Sequence, residues 1–250
     1  MAENIAAENV AADETSVDLG IDTSSAHVSV AALRGEHVLA ERRWTIDSTL
    51  SRELLAAIDA LLQDAGVERH GIASIAVAAG PGAYTGLRTG VATAQGLALA
   101  LDAPLAGVSR LEADAFPHLF PEPGSARPAA GHAVVAVHDL GRGRVAWAAY
   151  SAGDGASLTI DEPRVDDVEE CARLAPPDVL WCGELGEELR AARDATGRRG
   201  DTDAAPGEQQ RRAAHVVRLA RMHAAYGDPA AVDVVYLRPP SITAPGRRGR

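Results

Sequence analysis

Residues 74–101, SIAVAAGPGAYTGLRTGVATAQGLALAL, decide how the rest of the chain is read. Ile75, Val77 and their alanine neighbours form a short apolar run of the kind found in a strand buried on both faces. Gly80, Pro81 and Gly82 then permit a sharp turn, Thr85 stands where an N-cap is wanted, and residues 86–101 continue at helical spacing. The unit is strand, glycine turn, helix. Its helix has two dry faces. Leu87, Val91, Ala94, Ala98 and Leu101 make one, suited to the chain's own sheet. Gly86, Gly90, Thr93, Leu97 and Ala100 make a second of mostly small residues, which would let another helix approach closely, from this chain or from another protein.

Upstream, residues 17–22, 26–33 and 36–44 read as three successive strands, with Arg34-Gly35 as a hairpin turn. Between Asp47 and Gly66 the period changes to helical: Leu50, Leu54, Leu55, Ile58, Leu61 and Leu62 recur on one side, with Ser48 as the expected cap. Downstream, residues 102–116 give a short strand and helix, and 117–131 a loop bearing Pro and Gly. The first half is therefore βββαβα.

The second half repeats that order by pattern, without residue identity. Strands are expected at 133–138, 145–151 and 157–160, a helix at 165–174, a strand at 179–183 and a helix at 184–195. Gly183-Glu-Leu-Gly186 stands where the first half has its glycine turn. A polar loop at 197–207, a helix at 208–226 and an extended stretch at 232–243 complete the chain. The expected division is an acidic tail (1–16) too poor in apolar residues to fold, a first lobe (17–107), a second lobe with a C-terminal helix and extended stretch (108–243), and a basic tail (244–250). The expected class is α/β: a duplicated βββαβα of the actin-like (ASKHA, RNase H-like) kind, in two lobes.

With 250 residues, 46% of them hydrophobic, the chain can bury proper cores. A formal charge of −11 argues against a general polyanion-binding surface, and all 24 basic residues are arginine. Cys171 and Cys182 have no CxxC spacing, which fits a reducing cytoplasm. No run is apolar enough to span a bilayer, so no membrane partner is expected.

Two segments offer chemistry. GIDTSS (20–25) places Asp22 where actin-like folds put an acidic first hairpin, so its carboxylate could face a metal-bound phosphate or simply cap local N–H groups. GPGAYTG (80–86) could present backbone N–H groups to an anion, with Gly80, Gly82 and Thr85 in the turn and Arg88 one turn on. It is no P-loop, because the required lysine is missing from a chain that contains none. No HxxxH, HExxH or GxSxG motif occurs. Neither a metal centre nor a catalytic residue is assigned.

GIDTSS, the helix at 50–65, AAGPGAYTGLRTGVATAQGLALAL followed by GVSRLEA (107–113), and YLRPPSIT (236–243) together resemble the TsaB (YeaZ) family over residues 17–243. The GPG-(S/A)-(F/Y)-TGLR turn is the specific part. The resemblance implies an accessory subunit of bacterial tRNA threonylcarbamoyladenosine synthesis, inactive alone. It would form a heterodimer with TsaD, the transferase that carries the metal-binding histidines, with TsaE joining the complex, tRNA contacted indirectly, and a homodimer open to the isolated chain. Any ATP or magnesium would act at the level of the complex. Leu50, Leu54, Ile58, Gly86, Gly90, Thr93 and Leu97 are the expected partner interface. The hairpin at 138–147, HDLGRGRVAW, departs from the family pattern. The competing readings are an independent actin-like ATP-dependent phosphotransferase, which would want phosphate loops and acidic residues in both halves, and a peptidase, which would want metal ligands or an activated nucleophile.

Overall fold

The protein is described by a computed structural model over residues 16–46, 50–121, 133–152, 157–159, 162–197, 202–204 and 212–237. Apolar alternation sends β1 (Val17–Asp22), β2 (His27–Arg34) and β3 (His37–Thr45) into an antiparallel meander. The continuous apolar run of β4 (Ile72–Gly80) inserts parallel to β1, and β5 (Leu105–Ser109) pairs parallel to β4. The order is β3-β2-β1-β4-β5. The second sheet contains β6 (Ala133–Gly141), β7 (Arg144–Ala152), β8 (Ser157–Thr159), β10 (Leu180–Gly183) and β11 (Thr202–Asp203) in the order β11-β10-β6-β7-β8, with β9 (Arg164–Asp167) also on β7. An antiparallel hairpin beside two parallel additions thus occurs twice, in the same order. The fold is α/β, actin-like and two-lobed.

On one face of the first sheet, α1 (Leu50–Ala65) and α2 (Tyr84–Leu101) cover Leu19, Ile21, Val30, Ile75 and Val77. Leu50, Leu54, Ile58, Leu61 and Leu62 are the buried side of α1; Val91, Ala94 and Ala98 face the same core from α2. The middle of the molecule is built by exchange. The helix α6 (Ala213–Met222), late in the chain, packs on β1, β2, β4 and β5 of the first sheet through Ala213, Val217 and Ala220. Conversely, α3 (Arg110–Leu119) sends Leu111, Ala115 and Leu119 against β6, β7 and β10 of the second, and Ala113 and Phe116 toward α6. Each lobe's sheet is closed by a helix from the other half of the chain, so apolar packing joins the lobes.

Several boundaries differ from expectation. α2 begins at Tyr84, its N-cap is Ala83 rather than Thr85, and no side chain caps it, because the turn is held instead by Ala83 N–H donating to the Ser24 carbonyl at 2.8 Å. α3 continues through Pro117, which has no N–H to donate to the Ala113 carbonyl. Residues 164–167 form strand β9, and helix α4 (Val168–Leu174) starts only after Asp167 caps it by accepting from Glu170 N–H at 2.8 Å. α5 (Glu187–Ala195) begins three residues later than expected, since Glu184 is drawn elsewhere. The 197–207 loop includes the short β11, and α6 is confined to 213–222, where Ala224 follows in the left-handed region. Residues 232–237 lie against β4 and α2 without joining a strand: Val235 N–H donates to Ala79 O, and Gln95 Nε2 donates to the carbonyls of Pro229 and Val232. The Ser48 cap, residues 208–211 and 238–243, and both tails apart from Ser16 lie outside the described residues.

Candidate functional site

Close approach of backbone decides the first lobe's end of the site. The end of β1 and the loop after it carry Asp22, Thr23 and Ser24, all buried, and Thr23 and Ser24 lie against the glycine turn and the start of α2. A Cβ on Gly86 would overlap the Thr23 carbonyl, one on Gly90 the Thr23 hydroxyl, and one on Gly82 the Ser24 carbonyl. Thr23 Oγ1 donates to Gly86 O at 2.8 Å. The small residues of α2 therefore serve this internal contact. Leu50, Leu54 and Ile58 lie in the core, so of the expected partner residues Leu50, Leu54, Ile58, Gly86 and Gly90 are interior, a correction to their expected role. Thr93 and Leu97 are half-buried. The apolar and small residues that α1 and α2 expose include Leu55 at 49%, Leu99 at 71%, and Ala56, Ala92, Gly96 and Ala100.

Asp22 accepts from Ser24 N–H at 2.9 Å and from Ser24 Oγ at 2.6 Å. The loop thus caps its own carboxylate. Gly80 and Gly82 are in the turn as expected, with Gly80 at φ 130° beneath the Val235 carbonyl. Thr85 is exposed, and Arg88 lies on the outer side of α2, where its Nε donates to Tyr236 Oη at 2.8 Å. Among the other candidate anion residues, Gly82 meets the segment that holds Asp22, at the Ser24 carbonyl.

The densest polar cluster was not singled out from the sequence. Arg110, the first residue of α3 and fully buried, reaches three elements. Its guanidinium ion-pairs with Glu184 through Nη2, stands 2.6 Å from His138 Nδ1 through Nη1, and lies 3.5 Å from Asp114 Oδ2 through Nε. Glu184 Oε2 accepts from Asp139 N–H at 3.1 Å and lies 2.7 Å from His138 Nδ1. Gly183, at φ 89° and tight against the Val137 carbonyl, places Glu184 there. Burial alone would raise the Glu184 carboxyl, but His138 and Arg110 outweigh it and hold it well below the ordinary carboxylate range. Nearby, burial pushes His215 down to about 3, with Arg212 and Arg218 adding to the effect.

Because its folded-state value is depressed, Glu184 stabilises the fold above its ordinary value of 4.5, and that contribution is lost as the pH falls. Its side chain is 39% exposed, so solvent screening reduces the effect. Glu184→Gln is expected to cost about 1–2 kcal/mol at pH 7, and the gap from wild type should narrow by pH 3.5. Urea midpoints at both pH values check this.

Glu184 also lines a cavity of about 380 Å³ at the carboxyl ends of β6 and β10, with Asp139, Arg142, Glu187 and Glu188 at its rim and Val145 and Leu189 below. The divergent 138–147 hairpin supplies one wall. Among the described residues, no group of three or more His, Cys, Asp or Glu is arranged to hold a metal ion. No helix among them is long and apolar enough to cross a membrane.

A family model described as TsaD, tRNA N6-adenosine threonylcarbamoyltransferase, matches residues 46–193, more than half of the chain. The tRNA threonylcarbamoyladenosine biosynthesis protein TsaB of Bacillus subtilis is 40% identical over 94 residues, 38% of this chain and 41% of its own length. That of Escherichia coli is 29% identical over 167 residues, 65% of this chain and 63% of its own. The solved structure of YeaZ from Pseudomonas aeruginosa superposes with a TM-score of 0.72 at 27% identity, covering 89% of this chain and all of that one. The chain belongs to this family, on its TsaB (YeaZ) side. The tRNA N6-adenosine threonylcarbamoyltransferase of Chlorobaculum tepidum is 31% identical over 154 residues, 53% of this chain and 43% of its own length. The sequence matches span about 41% to 63% of the two TsaB relatives' lengths. Both of these curated relatives are named for tRNA threonylcarbamoyladenosine biosynthesis.

Proposed function

We propose that this TsaB-family chain is a non-catalytic subunit that docks a TsaD-type transferase. It would thereby support threonylcarbamoyl transfer to the adenosine beside the anticodon of tRNAs reading ANN codons. The observation that carries the reading is the exposed stripe on α1 and α2. Leu55 on α1 and Leu99 on α2 stand exposed, and the i, i+4, i+7, i+8 spacing of Ala92, Gly96, Leu99 and Ala100 puts these exposed residues on one face of α2, where a second helix could lie close. Asp22, the one carboxylate that a phosphotransferase reading would use, is buried and already bonded by Ser24. ATP and magnesium would then act in the partner, TsaE would join through the complex, and tRNA transfer would need the transferase. The stripe would also serve a homodimer of the isolated chain.

The test is reconstitution. The purified chain, given threonylcarbamoyl-adenylate and tRNA, is expected to show no transfer, and transfer should appear when the cognate transferase is added. Turnover by the chain freed of every trace of partner would overturn the reading.

A further inference from the structure

His138, in β6, is held between two partners that ask opposite things of one nitrogen. Its Nδ1 stands 2.6 Å from Arg110 Nη1 and 2.7 Å from Glu184 Oε2. That ring nitrogen carries either a lone pair or a proton. With the lone pair it accepts from Arg110, and the Glu184 oxygen faces it with no proton between them. With the proton it donates to Glu184, and an N–H of Arg110 then faces an N–H. Neither neighbour adapts, because a guanidinium has donors only and keeps its proton, while an ionised carboxylate has acceptors only.

Both neighbours have other anchors. Arg110 keeps its Nη2 pair with Glu184 and its Nε approach to Asp114, and Glu184 keeps the Asp139 N–H. Charge therefore reaches the ring from α3 through Arg110, with Asp114 behind it, and from the turn after β10 through Glu184. Asp139, next on β6, accepts from Gly141 N–H, and across the ladder with β7 the paired residue is the uncharged Ala146. What changes with the proton is the hold on Arg110 Nη1. That nitrogen also lies 3.5 Å from the Ser24 carbonyl, which accepts from Ala83 N–H where α2 begins. The group that His138 holds or repels is thus the one that reaches from the second lobe toward the first. Protons have a way in, since 11% of the His138 side chain is exposed and Glu184 lines the cavity beside it.

We infer that His138 is a proton-operated selector at the joint between the lobes. Neutral, it binds Arg110 through the Nδ1 lone pair; protonated, it binds Glu184 and lets go of the arginine nitrogen that approaches Ser24. The device belongs to this chain alone and does not depend on the partner role.

Nitrogen-15 spectra of the full chain, labelled at histidine and arginine, are followed from about pH 8 to about pH 5.5, the span in which histidine side chains change charge. Loss of a signal in His138→Gln assigns the ring. At the upper end Nδ1 is expected to be unprotonated and the Arg110 Nη1 protons to be resolved and slow to exchange. As Nδ1 takes up its proton, the Nη1 protons should lose that protection in step. In Arg110→Met the neutral ring should turn to the Nδ1–H tautomer, with Glu184 its remaining partner, and in Glu184→Gln the protonation midpoint should move down by roughly one pH unit. The inference fails if Nδ1 already carries a proton at the upper end, if it stays unprotonated throughout, or if Arg110 Nη1 does not follow the ring. The wild-type spectra decide all three, whether or not the variants fold. None of these failures would touch the reconstitution result.

Discussion

Gly90→Arg is expected to leave the chain unable to fold, with a loss of at least about 4 kcal/mol from overpacking together with a buried charge. α2 seats on the loop after β1 at two points, Gly86 over the Thr23 carbonyl and Gly90 over the Thr23 hydroxyl. Even a methyl group at Gly90 would strike the hydroxyl, and the obstacle is no flexible chain end that can swing away. Gly86 and Gly90, whose small size would suit a partner helix, therefore serve an internal contact. Thermal melting and circular dichroism of the variant check this. A mutant that folds normally would show that α2 can pivot away from Thr23.

That result separates what the sequence makes legible from what it conceals. The duplicated order of elements is readable, because a continuous apolar run such as 72–80 and the leucine spacing of 50–62 each follow from burial alone. Small residues are ambiguous. Gly86 and Gly90 say that something comes close, but not whether it is Thr23 or another protein. Nor could local periodicity reveal that α6, late in the chain, packs on the first sheet, since the partners are far apart in the chain. The Arg110 cluster was hidden for the same reason: its residues stand at 110, 114, 138 and 184, and each looks ordinary in its own stretch. A usable signal existed in Gly183, whose place matches the first half's glycine turn.

Arg110→Met should cost about 3 kcal/mol, the range for breaking a buried ion pair from one side. The substitution keeps an apolar stem of similar length but removes the cation that faces both Asp114 and Glu184. Because Glu184 is open to solvent on one side, the loss falls at the low end. Combining Arg110→Met with Glu184→Gln should recover part of it, as neighbours in one network are not additive. Chemical denaturation of the two single variants and the double variant measures the coupling. Strict additivity would mean that the pair contributes no mutual stabilisation.

The most direct test of the proposed role is the affinity of the chain for its cognate TsaD, measured for wild type and for Leu99→Arg. Leu99 is 71% exposed, so the substitution should change folding stability by no more than about 0.5 kcal/mol. If the stripe on α1 and α2 is the docking surface, an arginine in its middle should weaken binding by about 2 kcal/mol or more, with melting unchanged. A variant that melts like wild type and binds TsaD equally well would contradict the account.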